Sequence, residues 1–274
     1  MRLLITGSGG QLGHDLLEIF HGSTVTGLDH QSLDISDRAA VEAAVAAIEP
    51  SWVINAAAYN DVDRAETDAG RAFAVNGAGP GYLAEAARRA GAGIVHISTD
   101  YVFDGHKGSA YVEDDTPNPL SVYGRSKLEG EQRVLNSGAS ACVVRTAWLY
   151  GAHGKNFVKT IRSSAAAGGP LRVVADQVGS PTWTRHLAQA MSGLMQSAAR
   201  GLFHVVNAGQ CSRYQMAQAI VGGAVEVIPI TSAESNRPAP RPPNSALRSA
   251  RWQQTGLPAL VDWEVALASF LETL

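Results

Sequence analysis

A doubly wound α/β fold built on a parallel sheet is predicted by three observations. An apolar run at the amino terminus enters a glycine turn, strand-like and helix-like segments alternate as far as residue 150, and the strand-like runs end in small or hydroxyl residues. Arg2 to Thr6 has the composition of a strand buried on both faces. It leads into Gly7-Ser8-Gly9-Gly10-Gln11-Leu12-Gly13 and then into helical periodicity from Asp15 to Phe20. Gly7, Gly10 and Gly13 therefore stand where a strand turns into a helix. Glycines there allow a tight turn, and they let main-chain N–H groups at a helix start approach a pyrophosphate. The spacing is G-x-x-G-x-x-G rather than G-x-G-x-x-G.

Thr24 to Leu28 reads as the second strand and ends at Asp29, an acid placed to accept hydrogen bonds from ribose hydroxyls and to repel a 2′-phosphate. This leans toward NADH, with His30 and Arg38 available to offset the charge. Asp34 and Ile35 follow in a loop suited to an adenine contact, and Ser36 is expected to cap a helix running to Ile48. Trp52 to Asn55 is the third strand and opens into Ala56-Ala57-Ala58-Tyr59-Asn60, small residues at the edge where ligands of open α/β sheets bind. A helix from about Pro80 to Ala90 precedes the fourth strand, Gly93 to Ile97, which ends in Ser98-Thr99-Asp100. A hydroxyl there points into the crevice, within reach of a substrate carbonyl.

Tyr123 and Lys127 share a helix face if their segment is helical. A cation beside the phenol is expected to lower its pKa from about 10, making it a proton donor or acceptor near neutral pH.

Composition narrows the ligands. The chain has 274 residues, 45% hydrophobic and 17% charged, with a net charge of −3, which argues against nucleic-acid or membrane-surface partners and for small molecules. The first residues form too short an apolar run for a signal peptide or a spanning helix. Cys142 and Cys211 lack metal or redox spacing and read as reduced, so a cytoplasmic location is expected. No histidine or cysteine pattern suits a transition metal.

The glycine turn, Asn55-Ala-Ala-Ala, Ser98-Thr-Asp-Tyr-Val-Phe-Asp-Gly105 and Tyr123-Gly-Arg-Ser-Lys127 together resemble the extended short-chain dehydrogenase/reductase superfamily. Arg145-Thr-Ala-Trp-Leu-Tyr150, Asp176-Gln-Val-Gly-Ser-Pro-Thr182 and Arg237-Pro-Ala-Pro-Arg-Pro-Pro-Asn-Ser-Ala-Leu247 extend the likeness over nearly the whole chain, most closely to the dTDP-4-dehydrorhamnose reductases. The resemblance implies a Rossmann-like domain at 1–150 and a smaller substrate-binding α/β part at 151–274, with about 184–207 packing back on the first. It also implies hydride transfer from NADPH or NADH to the C4 ketone of a nucleotide-linked 6-deoxyhexulose. Tyr123 would donate the proton, Lys127 would hold the nicotinamide ribose and keep the phenol's pKa low, and Thr99 would bind the carbonyl oxygen. Gly10, Gln11, Leu12, Asp29, Asp34, Ile35, Ala58, Tyr59 and Asn60 would hold the dinucleotide. Asp100 and Trp148 would contact the sugar, and Arg237 and Arg241 its diphosphate.

A glutamate after Asp100, which the related 4,6-dehydratases need, is absent, because Tyr101 stands there. A 4-epimerase reuses the same hydride chemistry. A non-catalytic subunit, like the regulatory subunit of methionine adenosyltransferase, would keep the fold and act through a partner. Some relatives are magnesium-linked dimers. Asp15 and Arg185 stand where such carboxylate ligands would be sought, and an arginine cannot ligate Mg²⁺, so no metal is expected; a homodimer is expected as one option, with its mode of association left open.

Overall fold

The computed structural model describes residues 1–274. Its elements in chain order are β1 (Arg2–Thr6), α1 (Gln11–Ile19), β2 (Thr24–Leu28), α2 (Arg38–Ile48), β3 (Trp52–Asn55), α3 (Val62–Ala65), α4 (Ala69–Phe73), α5 (Gly79–Arg89), β4 (Gly93–Thr99), α6 (Val122–Leu135), β5 (Ser140–Thr146) and β6 (Leu149–Tyr150). There follow α7 (Phe157–Ala166), β7 (Leu171–Val174), β8 (Val178–Gly179), β9 (Thr182–Trp183), α8 (Thr184–Gln196), β10 (Gly201–His204), β11 (Cys211–Ser212), α9 (Arg213–Val221), β12 (Val227–Ile230), α10 (Ser232–Ser235) and α11 (Trp263–Leu271).

Six strands form one parallel sheet in the order β2-β1-β3-β4-β5-β10. The chain winds outward from β1 to β2 and then returns to the other side of β1, so the strand order reverses between β1 and β3. Ligand crevices of open α/β sheets lie beyond the carboxyl ends of strands at such a reversal. The register sets Thr6 beside Asn55 there, and Thr99 beside Thr146 two strands along.

Alternation along each strand divides the core. Leu3, Ile5, Ile54, Val95 and Val144 point to the face covered by Leu12 and Leu16 of α1 and by Leu187, Met191 and Leu194 of α8. Leu4, Val53, Ile94 and Val143 point to the opposite face, against Val41 and Val45 of α2, Leu83 and Ala87 of α5 and Val134 of α6. A period of two with both faces apolar explains why the strands read as continuous apolar runs. The later elements surround a third cluster that includes Tyr150, Trp183, Met216, Trp263, Leu267 and Phe270.

One local expectation changes. Asp37, not Ser36, caps α2, its carboxylate accepting from the Ala40 N–H. Ser36 is diverted because its hydroxyl donates to Asp34 at 2.6 Å. On α11, Trp263, Leu267 and Phe270 are buried, whereas Leu274 lies past the helix end and is 47% exposed.

Candidate active site

The first feature at the strand reversal is a cradle of backbone. Gly7 has φ of +73°, and Gly10 donates its N–H to the Gly7 carbonyl at 3.0 Å, closing the turn before α1. A Cβ on Gly13 would lie 2.4 Å from the Gly7 oxygen and 2.6 Å from the Ser8 oxygen, so only glycine lets the helix start this close to the turn. No side chain caps α1, which leaves its first N–H groups and the positive end of its dipole for a ligand. A groove of about 630 Å³ runs from this cradle past Asp29, Asp34 and Ile35 to Ala58, Tyr59 and Asn60. Its bare backbone and open helix terminus fit a dinucleotide pyrophosphate.

Two acids at the far end of the groove are already organised. Asp29 Oδ1 accepts from the N–H groups of Gln31 and Ser32 and from the Ser32 hydroxyl, and these bonds, that of the hydroxyl foremost, hold its pKa down. Burial works upward on Asp34, but hydrogen bonds from Ser36 and the Arg71 guanidinium at 2.9 Å outweigh it and bring the carboxyl to about 2. Arg71 also lines the groove. Nothing local in the sequence links it to Asp34, 37 residues away. Asn76 braces the neighbouring loop by accepting from the Tyr59 N–H at 2.8 Å and donating to the Tyr59 carbonyl at 3.0 Å.

A second chamber of about 260 Å³ adjoins the first, sharing Gly10, Ala56, Ala57, Ala58 and Asn60 with it. Gln11, Leu12, Gly13, Thr99, Asp100, Tyr123, Lys127 and Trp148 also line it. Ser121 caps α6 by accepting from the Gly124 N–H at 3.1 Å. Gly124 lets the helix start press on the turn after β4, where a Cβ would sit 2.2 Å from the Tyr101 oxygen. Tyr123, Lys127 and Glu131 recur every four residues on one face of α6. Glu131 is sealed in an ion pair with Arg145 of β5 at 2.6 Å, fixing the helix to the sheet.

The electrostatics of Tyr123 and Lys127 correct the expectation drawn from their spacing. Lys127 is 2% exposed and its Nζ donates to the Ile97 carbonyl at 2.6 Å, rather than facing the phenol. Burial lowers its pKa to about 8, with the charge of Glu131 opposing. Burial raises the Tyr123 phenol well above its usual value, the Thr99 hydroxyl works the other way, and Lys127 makes no resolved contribution. Desolvation thus outweighs the cation in the ligand-free chain. His96, buried behind Lys127, is kept neutral by burial and by the lysine's charge.

Asp100 is 3% exposed, with Oδ1 accepting from Thr99 at 3.0 Å and Oδ2 accepting from Ser245. Burial raises its pKa to about 6 despite these bonds. Ser245 lies in the arginine–proline segment and was not singled out in the sequence, although the motif containing it was. Arg237 and Arg241 of that segment both face Asp63, at 3.6 and 2.9 Å, and line neither chamber. Trp148 has φ of +47°, and the Arg213 guanidinium carbon lies 3.5 Å from its ring centre. α9 opens on a capping box formed by Ser212 and Gln215.

Asp15 is buried with Oδ2 lacking a hydrogen-bond partner, but no three potential ligand side chains converge there or elsewhere. Arg185 instead faces Glu18 at 3.9 Å. These residues do not fit a protein-held divalent ion. No helix is long and apolar enough to cross a membrane.

Comparison with known proteins agrees with this geometry. The family model described as RmlD substrate binding domain matches residues 1–274. A dTDP-4-dehydrorhamnose reductase of Mycobacterium tuberculosis (strain ATCC 25618 / H37Rv) is 45% identical over 98% of this chain and 92% of its own length. A probable dTDP-4,6-dihydroxy-2-methyloxan-3-one 4-ketoreductase of Streptomyces antibioticus is 44% identical over 97% and 93%. The crystal structure of a dTDP-4-dehydrorhamnose reductase from Bacillus anthracis str. Ames in complex with NADP superposes with a TM-score of 0.97 at 36% identity, covering 100% of this chain and 99% of that one. With its glycine cradle, its Tyr123–Lys127 helix and full-length likeness of this order, the chain belongs to the dTDP-4-dehydrorhamnose reductase family.

Proposed function

We propose that this chain catalyses the NAD(P)H-dependent reduction of the C4 ketone of dTDP-4-dehydro-6-deoxy-L-mannose, giving dTDP-L-rhamnose in the cytoplasm. The observation that carries the reading is that Tyr123, Lys127 and Thr99 line one small chamber opening directly on the glycine cradle. Residues 1–150 hold the dinucleotide in this reading and also bring Thr99, Asp100 and Trp148 to the chamber, with 151–274 as the smaller substrate-binding part.

A reduced nicotinamide dinucleotide supplies the hydride when bound. Gly10, Gln11, Leu12 and Gly13 receive its pyrophosphate, Asp29, Asp34 and Ile35 its adenosine, and Ala58, Tyr59 and Asn60 the stretch between. Thr99 orients the substrate carbonyl, and Tyr123 delivers a proton to the C4 oxygen as negative charge develops there. A phenol that stays protonated in the free chain is in the correct state for a proton donor. Lys127 holds the nicotinamide ribose, next to the carbonyl of Ile97 that its Nζ already engages. Asp100 and Trp148 position the sugar.

The Streptomyces antibioticus relative supports a second reading, in which the substrate is another dTDP-linked 4-keto sugar. Incubation with each ketosugar and NADPH or NADH, with chromatography of the product, separates the two. Formation of dTDP-L-rhamnose with matching loss of reduced nicotinamide supports the first. Conversion without added dinucleotide would indicate a 4-epimerase instead. No conversion, together with a stoichiometric protein partner in a pulldown, would indicate a regulatory subunit.

A further inference from the structure

Ser245 of the arginine–proline segment is 2% exposed, and the main chain around it is held on both sides. Its own N–H donates to the Val178 carbonyl at 2.9 Å, and two residues on the Leu247 N–H donates to the buried Ser180 hydroxyl at 3.2 Å. Pro243 presses on the turn after β4, where a Cβ on Gly105 would lie 2.7 Å from the proline Cδ. From this fixed point the Ser245 hydroxyl donates to Oδ2 of Asp100.

Thr99 and Ser245 each carry one hydroxyl proton, and in the ligand-free chain the Asp100 carboxylate takes both, Thr99 donating to Oδ1 at 3.0 Å. Thr99 also accepts from the Tyr101 N–H at 3.2 Å. A Thr99 hydroxyl that turns to a substrate carbonyl must release Oδ1, and a buried carboxylate oxygen left without a donor is costly. A sugar hydroxyl next to the ketone can take over that bond, which keeps the number of hydrogen bonds constant. The exchange requires a carboxylate that neither rotates nor picks up a proton. Ser245 serves both needs, because its hydrogen bond fixes Oδ2 and favours the charged form. The other groups acting on or facing Asp100 are Tyr101 of its own turn, Tyr123 of α6 and the Arg213 cation of α9, which also favours the carboxylate. Lys127 of α6 lines the same chamber.

We propose that Ser245 is a positioning residue for the ketone reduction: it clamps Oδ2 of Asp100 so that Oδ1 can pass from the Thr99 hydroxyl to a sugar hydroxyl beside the C4 ketone. The proposal rests on the reductase reading above and adds to it a residue that lines neither chamber.

The test is the pH profile of kcat/KM for the ketosugar at saturating NADPH in wild type, Ser245→Ala, Ser245→Cys and Asp100→Asn. Urea unfolding of the ligand-free proteins over the same pH range accompanies it. In wild type the profile falls on the acid side near pH 6, where Asp100 takes up its proton. Loss of a hydrogen bond to the charged form moves that limb up by about one to two pH units in Ser245→Ala. The shift is smaller in Ser245→Cys, whose thiol is a weak donor. Asp100→Asn lacks the limb, and adding Ser245→Ala to it shifts nothing. Unfolding reads the same bond without turnover. A carboxyl raised in the fold loses its stabilisation as pH rises through its folded pKa, so the pH at which stability stops falling moves up in Ser245→Ala by the same amount. An acid limb at the wild-type pH in Ser245→Ala overturns the proposal, as does a loss of activity equal at every pH, which marks a merely structural role. If wild type reduces the ketosugar while the limb stays in place, only the role of Ser245 falls. If wild type gives no turnover, the reductase reading fails, and the unfolding curves still decide whether Ser245 holds the Asp100 carboxylate.

Discussion

Replacing Asp100 by asparagine should change how the stability of the free protein depends on pH. Asp100 is buried, its ordinary pKa is 3.8 and burial raises it to about 6 in the fold. Between those values the native state holds a proton that the unfolded chain has released, so stability falls as pH rises. At 1.36 kcal/mol per pH unit, the rise from 3.8 to about 6 corresponds to about 3 kcal/mol, fully retained below about pH 4 and lost above about pH 6. Asparagine keeps the shape and cannot ionise. Its altered hydrogen bonds with Thr99 and Ser245 add a constant offset, so the informative quantity is the change in the stability difference with pH. Urea unfolding of the ligand-free protein at half-unit intervals from pH 4 to 7.5 measures it. The variant should gain on wild type by about 3 kcal/mol across the range. Parallel curves would show that burial does not raise the Asp100 carboxyl in the fold.

Lys127 is brought to about 8 by burial, so kcat/KM for the dinucleotide should decline above about pH 8 as the free chain loses this charge. Lys127→Arg, less active but always charged, should lack that limb, and a limb at the same pH in both proteins would assign it to another group. Gly13→Ala forces a methyl against two backbone oxygens and should cost about 1–3 kcal/mol with a clear loss of NADPH affinity. Gly9→Ala, whose Cβ would meet only the Asp29 Cβ at 3.5 Å, should leave thermal stability nearly unchanged. Equal melting temperatures for the two variants would contradict the close approach of α1 to its turn.

What the sequence made legible is what depends on neighbours along the chain. The apolar run of β1, the glycine turn and the start of α1 are contiguous, and Tyr123 and Lys127 are one helical turn apart. The placement of Thr99 followed from its position at a strand's end. Pairings that fold topology creates were not legible. Ser245 reaches Asp100 across 145 residues, and Arg241 reaches Asp63 across 178. Nothing local marks either pair, so the charges of Arg237 and Arg241 looked free when they are not. The Tyr123–Lys127 electrostatics failed for a related reason. Spacing locates the two groups but gives no measure of burial, and in this chamber desolvation decides both titrations. At Ser36 two good capping residues stood side by side, and the demand of Asp34 for a donor settled which one capped the helix.

The central claim is that Tyr123 donates the proton in ketone reduction. It is tested most directly by ketosugar-dependent oxidation of NADPH in wild type and Tyr123→Phe at matched dinucleotide occupancy. Removing the donor hydroxyl should lower kcat by at least about 10²-fold, near 2.7 kcal/mol of barrier, with the NADPH dissociation constant nearly unchanged. Turnover by Tyr123→Phe close to the wild-type rate would contradict the account and place the proton donor elsewhere.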